Sequence, residues 1–367
     1  MKCFSPVFIL SLSILTSSVQ AQERAIPYKS PYEKPYKRSL NGEWEGILQD
    51  RTPLRLTIAA NDENVSGFYS IENDFFTIEM TGMWKDDHTL FMHAITDERK
   101  EGAMTVTIHE DHLEGHWLNY GYAPRTFNVK PVQFGCANFQ PIRYCNEKCP
   151  SRDSALIAQE ETYWGCSYED LNALFVLQKD ESTTKSINDT IAKYVGFNDG
   201  TGYLGIDNQL ASINAAFQNG DYLGELWQEV LVMTPVLNRS NVLVMRMNTM
   251  QFAGGSPQHF NYYLNFDLET GRKLELKNLL RSGYQKDLIP VFIESLKTAN
   301  TDYSFEFNLD EFSISENFFL QTEGLFLVYR GFELGVPVQE VAIRIPFEYL
   351  HDLLLPFSVV GRVVTNY

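Results

Sequence analysis

The chain has 367 residues, and 47 acidic against 30 basic side chains give it a formal charge of −17. Charge of that sign repels phosphate backbones and anionic headgroups, so nucleic acid and a bare membrane surface are excluded as expected partners. The length provides for two or three domains, and a 44% share of hydrophobic residues is enough to give each a core.

The first element is an address rather than a fold. Lys2 precedes an apolar run from Phe4 to Leu15, and a short stretch of small and polar residues leads to Val19-Gln20-Ala21. A core too short to span a bilayer, followed by a small-x-small site, predicts a secretory leader over residues 1–21, cleaved near Ala21. Cys3 stands too early to be the cysteine of a lipoprotein cleavage site. No later stretch is long and apolar enough for a transmembrane helix. The expectation is a periplasmic, secreted or surface protein with no integral membrane segment. Loss of Lys2 leaves 29 basic against 47 acidic residues, a charge of −18. That charge keeps an exported protein in solution and steers a basic partner toward it. Residues 22–39 form an N-terminal extension.

Residues 40–132 alternate between apolar and polar in short runs. Trp44, Gly46 and Leu48 share one face, as do Leu54, Leu56 and Ile58, and then Phe76, Ile78, Met80, Gly82 and Trp84. Leu90, Met92 and Ala94 continue that face, followed by Met104, Val106 and Ile108, by Leu113, Gly115 and Trp117, and by Phe127 and Val129. About eight strands of period two in about 90 residues predict an antiparallel up-and-down meander. Rolling it into a β barrel buries one face and removes the exposed edges. The stretches LNGEWEGIL, LRLTI and VSGFYSI resemble the opening strands of lipocalin and avidin barrels, which implies a calyx with Trp44 near its closed end. The polar face carries His93 and, within TIHEDHLEGHW, His109, His112, Glu114 and His116. Zinc needs such ligands to converge at close range. On the outer wall of a barrel a solvated face is the expectation, so no metal is predicted.

Cys136, Cys145, Cys149 and Cys166 cluster in residues 133–170, where GCANFQPIRYCNEKCPSRDS has no clear period. In an oxidising compartment two disulfides are expected, in any of three connectivities, bracing a loop-rich junction. Zinc is the weaker alternative, because Cys-x3-Cys has no neighbouring histidine.

The composition changes over residues 171–367. In ESTTKSINDTIAKYV, Ile187, Ile191 and Val195 recur at helical spacing, and in IDNQLASINAAFQNG Leu210, Ile213 and Phe217 repeat the habit. ELWQEVLVMTPVL and NVLVMRMNTMQFA read as long strands joined at Asn238-Arg239-Ser240. HFNYYLNFDL turns at Glu269-Thr270-Gly271 into KLELKNLL, and YQKDLIPVFIESLKTA reads as an amphipathic helix. ENFFLQTEGLFLVY is a further hairpin, and VAIRIPFEYLHDLLLP is a strand running into a short helix. The pattern predicts an α+β domain with helices packed on one face of an antiparallel sheet.

The stretches FAGGSPQHFNYYLNFDLETGRKLELKNLL and FFLQTEGLFLVYRGFELGVPVQEVAIRIPFEYLHDLL resemble a bacterial domain of unknown function. It is the extracytoplasmic domain of the lysozyme-sensing anti-sigma factor, and it also stands beside some peptidoglycan deacetylases. The resemblance spans about Glu181 to Leu354. Its most specific parts are Gly254-Gly255, Phe266-Asp267 with Thr270-Gly271, and Glu333 ahead of Ile345-Pro346. It implies a binding domain whose ligand is a protein or a cell-wall glycan. The family places a histidine two residues after the double glycine, whereas here Ser256-Pro257-Gln258 intervene before His259, so the family's role is not carried to His259. The segment that holds a sigma factor, the membrane helix and the deacetylase module find no match. The expectation is therefore neither an anti-sigma factor nor a deacetylase in its own right.

Two glycine stretches need a physical reading. Gly271 sits where a left-handed residue closes a hairpin. Gly254-Gly255 precede Pro257, where the chain must leave the sheet, so they read as an exit turn or, alternatively, as a binding loop on the sheet's rim. A phosphate loop is excluded because no GK[ST] and helix follow. The candidate ligand-binding residues are Gly254, Gly255, His259, Phe260, Tyr262, Tyr263, Tyr329, Phe332 and Glu333. Tyrosine offers wide contact area with a polar tip, and ordinary sheet packing is the competing explanation. There is no G-x-S-x-G elbow, no H-E-x-x-H and no catalytic Cys-His arrangement. The sequence predicts an exported, non-catalytic binding protein of the cell envelope with no cofactor. The alternative is an envelope glycan hydrolase using two of many carboxylates, such as those in FNLDEFSISE.

Overall fold

The computed structural model describes residues 40–60, 65–71, 78–94, 102–119, 123–132, 135–148, 167–177, 180–195, 228–252, 258–298, 305, 308, 312–336 and 338–364. The leader, the expected helix over 206–220, Phe76 and Gly254-Gly255 lie outside them.

Eight antiparallel strands close into a barrel: β1 (Gly42–Leu48), β2 (Pro53–Ala60), β3 (Val65–Ile71), β4 (Ile78–Asp86), β5 (Thr89–Ala94), β6 (Gly102–Ile108), β7 (Leu113–Asn119) and β8 (Arg125–Pro131). Closure is made by β1 on β8, from Trp44 opposite Pro131 to Leu48 opposite Phe127. The residues that alternate inward are those the sequence placed there. Trp44, Leu56, Met80, Met92, Met104, Val106, Trp117, Phe127 and Val129 are each at most 6% exposed and form one core. They fill the interior. Trp117 meets Tyr69 edge to face at 6.1 Å, and a Cβ added at Gly67 would stand 2.8 Å from the Met92 sulfur. The calyx implied by the lipocalin likeness is, over the described residues, a packed core.

The second half holds two sheets. The larger has the order β14-β13-β12-β11-β10-β9, built from β9 (Asn138–Lys148), β10 (Ser167–Leu177), β11 (Gln228–Arg239), β12 (Val242–Phe252), β13 (Gln258–Asp267) and β14 (Arg272–Leu274). The smaller pairs β15 (Phe318–Gln321), β16 (Gly324–Arg330) and β17 (Glu340–Ile345). Two sequence expectations need correction here. Part of the loop-rich junction is strand, since β9 pairs along its whole length with β10, and β10 runs parallel to β11, so the sheet is mixed. Helices also lie on both faces rather than one. On β12, Leu243, Met245 and Met247 share a core with Ile187 and Ile191 of α1 (Glu181–Tyr194). Val242 and Val244, pointing the other way, share a core with Leu288 and Phe292 of α2 (Tyr284–Thr298) and with Phe318 and Leu327 of the small sheet. The unbroken apolar run Val242–Met245 is the reason: a strand hydrophobic on both sides must be covered on both sides.

Local chemistry fixes the turns. Ser240 and Asn241 both take positive φ, 54° and 59°, which joins β11 to β12 by a two-residue turn whose twist suits a hairpin. Gly271 has φ 70°, and its N–H donates to the Asp267 carbonyl at 2.8 Å, so this glycine shapes a bend as expected. Asp180 caps α1 by accepting from Thr183 N at 2.6 Å, and buried Asn188 clamps the helix to β10 through two bonds with Val176, at 2.8 and 2.9 Å.

The barrel is joined to the larger sheet along its outer wall. Ala59 and Phe68 leave the barrel to enter the core with Ala137 and Phe139. Asn238 exchanges two hydrogen bonds with the Ala137 backbone, at 2.7 and 2.9 Å. Glu45 meets Arg55 at 3.3 Å and Arg239 at 3.4 Å. Beside them Glu43 is 6% exposed, and burial pushes its carboxyl up to about 8 against the opposing pull of Arg55. Cys136 lies at the same seam, its thiol raised by burial and by Glu43 and Glu45. The two expected disulfides are not seen, since no cysteine pair is joined among the described residues. Cys145 stands in β9 opposite Asp170, while its side chain, Cys149 and Cys166 lie outside them.

Candidate functional site

The edge of β13 decides where a ligand has room. β14 covers β13 only at Asn265, Phe266 and Asp267, so the rest of that edge needs other hydrogen-bond partners. Side chains running both ways join that edge to the small sheet. Asn265 Nδ2 donates to the Phe318 carbonyl at 2.7 Å, and its Oδ1 accepts from Leu320 N at 3.2 Å. Asn317 Oδ1 accepts from Tyr263 N at 3.0 Å, while its Nδ2 donates to the Asn261 carbonyl at 2.8 Å. Glu340 accepts from both the backbone and the side-chain amide of Asn261, at 3.2 and 3.0 Å. Side chains hold two sheets farther apart than a backbone ladder would, which opens space between them.

That space is a cleft of about 160 Å³ between β13, β16 and the start of β17. Five of the nine candidates line it: His259, Phe260, Tyr262, Tyr329 and Glu333. Tyr262 is 40% exposed and Phe260 half-buried, with the Arg330 guanidinium 4.6 Å from the Phe260 ring centroid. Tyr329 is buried between Phe292 and Phe312, its hydroxyl accepting from Ser315 N at 3.1 Å, and burial raises that hydroxyl above the usual phenol range. Glu333 accepts from Arg330 N at 2.7 Å and so caps the single 3-10 turn Gly331–Leu334. Gly331 is required in that turn, because a Cβ there would stand 1.7 Å from the Val338 carbonyl oxygen.

Other candidates fall elsewhere. Tyr263 alternates to the opposite face, stacks on Phe319 at 4.4 Å and packs against the α2 core, so for this residue the packing explanation holds. Phe332 sits on the 3-10 turn, 73% exposed, and does not line the cleft. Gly254 and Gly255 lie outside the described residues. Sequence reasoning missed Asn261, Asn317, Arg330 and Glu340. One signal was present: Asn261 and Asn265 interrupt an aromatic strand where apolar residues would otherwise continue. Burial raises the Glu340 carboxyl, while its bonds from Asn261 and the Arg246 charge pull the other way. With both oxygens engaged by Asn261, this group first serves to tie β17 to β13.

A larger hollow, about 500 Å³, opens at the barrel rim beside Gln49, Asp50 and residues 123–125. Its charged groups neutralise each other, since Arg125 meets Asp50 at 2.8 Å, and its described lining offers no aromatic ring. The β13 cleft combines aromatic faces, an arginine and oriented amides, which is the chemistry of recognition.

No model of a known family matches the sequence, and no curated protein matches it. Among solved structures, the chain is similar to a DUF3298 family member from Bacteroides fragilis NCTC 9343, with a TM-score of 0.50 and 18% identity over 62% of this chain and 98% of that one. A DUF3298 protein from Pseudomonas aeruginosa PAO1 gives 0.43 and 15% over the same shares. The likeness to the Bacteroides protein is one of fold. It agrees with the reading of a domain of unknown function in this chain.

Proposed function

We propose that this chain is an exported, non-catalytic binding protein of the bacterial cell envelope, and that the β13 cleft recognises a lysozyme-like protein or a cell-wall glycan. The observation that carries the reading is the convergence of His259, Phe260, Tyr262 and Glu333 with Arg330 along one sheet edge. Exposed Tyr262 and the Arg330–Phe260 pair offer flat faces for a sugar ring or for a side chain of a protein partner. The leader expected over residues 1–21 and the overall charge of −17 fit a basic partner met outside the cytoplasm. The resemblance to the lysozyme sensor's domain narrows the protein class, and the link to that anti-sigma factor is part of this proposal.

Calorimetry of the protein with a lysozyme and, separately, with soluble peptidoglycan fragments tests it. The expected result is heat of binding in one arm without released sugar, weakened about 5–30-fold by Tyr262→Ala, the equivalent of roughly 1–2 kcal/mol. No binding in either arm, or binding indifferent to both Tyr262→Ala and Arg330→Ala, overturns the reading. One observation favours the hydrolase alternative: Glu340, with its raised proton affinity, shares the cleft with Glu333. Sugar release by the wild type that Glu340→Gln abolishes would put that reading in its place.

A further inference from the structure

We propose that the β6–β7 hairpin on the barrel's outer wall is a binding site for one zinc-class divalent metal ion, held by His109, His112 and Glu114. The site is separate from the β13 cleft and stands whatever that cleft binds.

The hairpin itself brings the ligands together. Ile108 pairs with Leu113 and Thr107 with Glu114, and the His109 N–H donates to the His112 carbonyl at 3.0 Å. Strand alternation then puts His109, His112 and Glu114 on the same outward face. Their donor atoms all lie within 4.8 Å of one another. The two imidazoles stack at 4.4 Å with only 6° between their planes. His116 and His93 do not join them, because His116 lies opposite Thr105 and His93 opposite Ala103, farther along the strands.

Three details point to a metal rather than to a solvated charge cluster. His109 Nε2 is 3.0 Å from Glu114 Oε1, so a shift of a few tenths of an ångström reaches the roughly 3.3–3.6 Å that separates two tetrahedral ligands bonded at about 2.0–2.2 Å to one ion. That contact is not aligned as a hydrogen bond, so Nε2 is shielded from solvent without a hydrogen-bond partner. Lastly, His112 Nδ1 lies 2.7 Å from Asp111 Oδ1. A carboxylate on Nδ1 fixes the tautomer that leaves the Nε2 lone pair outward, the usual outer support of a metal-bound histidine. For both lone pairs to meet one ion the stacked rings must splay, with exposed Asp111 following His112, which a surface turn allows, and water completes a tetrahedral set. Two imidazoles and one carboxylate favour zinc, copper or nickel over magnesium or calcium, which prefer all-oxygen sites.

The test is titration of the chelator-treated full chain with zinc chloride against a chromophoric zinc chelator, in excess magnesium and calcium. We expect one equivalent of zinc to bind, with affinity lowered at least about 100-fold by His109→Ala or His112→Ala. Asp111→Asn, which keeps every direct ligand, is expected to cost about 10–100-fold. His93→Ala and His116→Ala should change nothing. Absence of zinc binding overturns the proposal, and so does binding that survives both His109→Ala and His112→Ala. Binding that instead disappears on thiol alkylation would assign the ion to cysteines and also overturns it. Unchanged circular dichroism confirms that the variants are folded.

Discussion

The barrel and the sheet half meet the same demand, satisfied backbone groups around a dry core, by different means. In the barrel every strand pairs on both sides, β1 closing on β8, and tryptophan and methionine fill the interior. In the sheet half, β13 has a full ladder on β12, but its other edge is joined to the small sheet mainly through the side chains of Asn261, Asn265, Asn317 and Glu340. Backbone closure leaves no gap, and side-chain closure leaves a cleft. The part of the molecule to which we assign recognition is therefore the part whose hydrogen bonding is least regular. The barrel serves as a wall against which the sheet is held.

The largest expected effect lies at the seam between the two halves. Glu43 keeps its proton in the fold up to about pH 8, whereas its ordinary value is 4.5. Between those values unfolding releases a proton. The contribution of this group is thus complete below pH 4.5 and is lost as pH rises through 8, with a slope of at most about 1.4 kcal/mol per pH unit. Glu43→Gln should flatten that decline and leave stability near pH 4 almost unchanged. Urea denaturation from pH 4 to 9 measures it, and a decline that persists undiminished in the variant would move its origin away from the seam.

A smaller effect is expected where the two sheets are stitched. Asn265→Leu leaves the Phe318 carbonyl and the Leu320 N–H buried without partners, a cost of about 2–6 kcal/mol at 1–3 kcal/mol for each orphaned group. If β13 and β15 were joined mainly by packing, the apolar replacement would cost less than about 1 kcal/mol. Chemical denaturation, with hydrogen exchange of the Leu320 amide, separates the two.

How far the sequence foretold this arrangement follows the same divide. Inward residues such as Met80, Met104 and Trp117 announce their face by local alternation alone, so the barrel was legible strand by strand. The turn at Gly271 was legible too, since its demand for positive φ is local. β9 was not, because Pro141 and Arg143 break the alternation of FQPIRYC and its pairing partner lies beyond Ser167. The two-sided cover of β12 is written in Val242–Met245, although the helical periods around it point to one-sided packing. The cleft was half legible: exposed aromatics beside a turn are a local cue, whereas Glu340 meets Asn261 across 79 residues and nothing near either one signals the other.

The finest comparison sets two arginines against each other. Arg125 lies 5.4 Å from the Trp117 ring at the barrel rim and is paired with Asp50, while Arg330 lies 4.6 Å from the Phe260 ring in the cleft. Each stacking contact is partly solvated, so replacing either arginine with alanine should cost about 0.5–1 kcal/mol of stability or less. The two variants should differ in binding. Arg330→Ala removes the cation among the aromatic faces of the cleft and is expected to weaken the ligand several-fold, while Arg125→Ala leaves affinity unchanged. Arg330→Lys separates charge from shape: a point charge keeps the electrostatic attraction but loses the planar stacking on Phe260, so intermediate affinity is expected. Equal losses from Arg125→Ala and Arg330→Ala, read by calorimetry with the same ligand, would erase the distinction between a closed wall and an open edge.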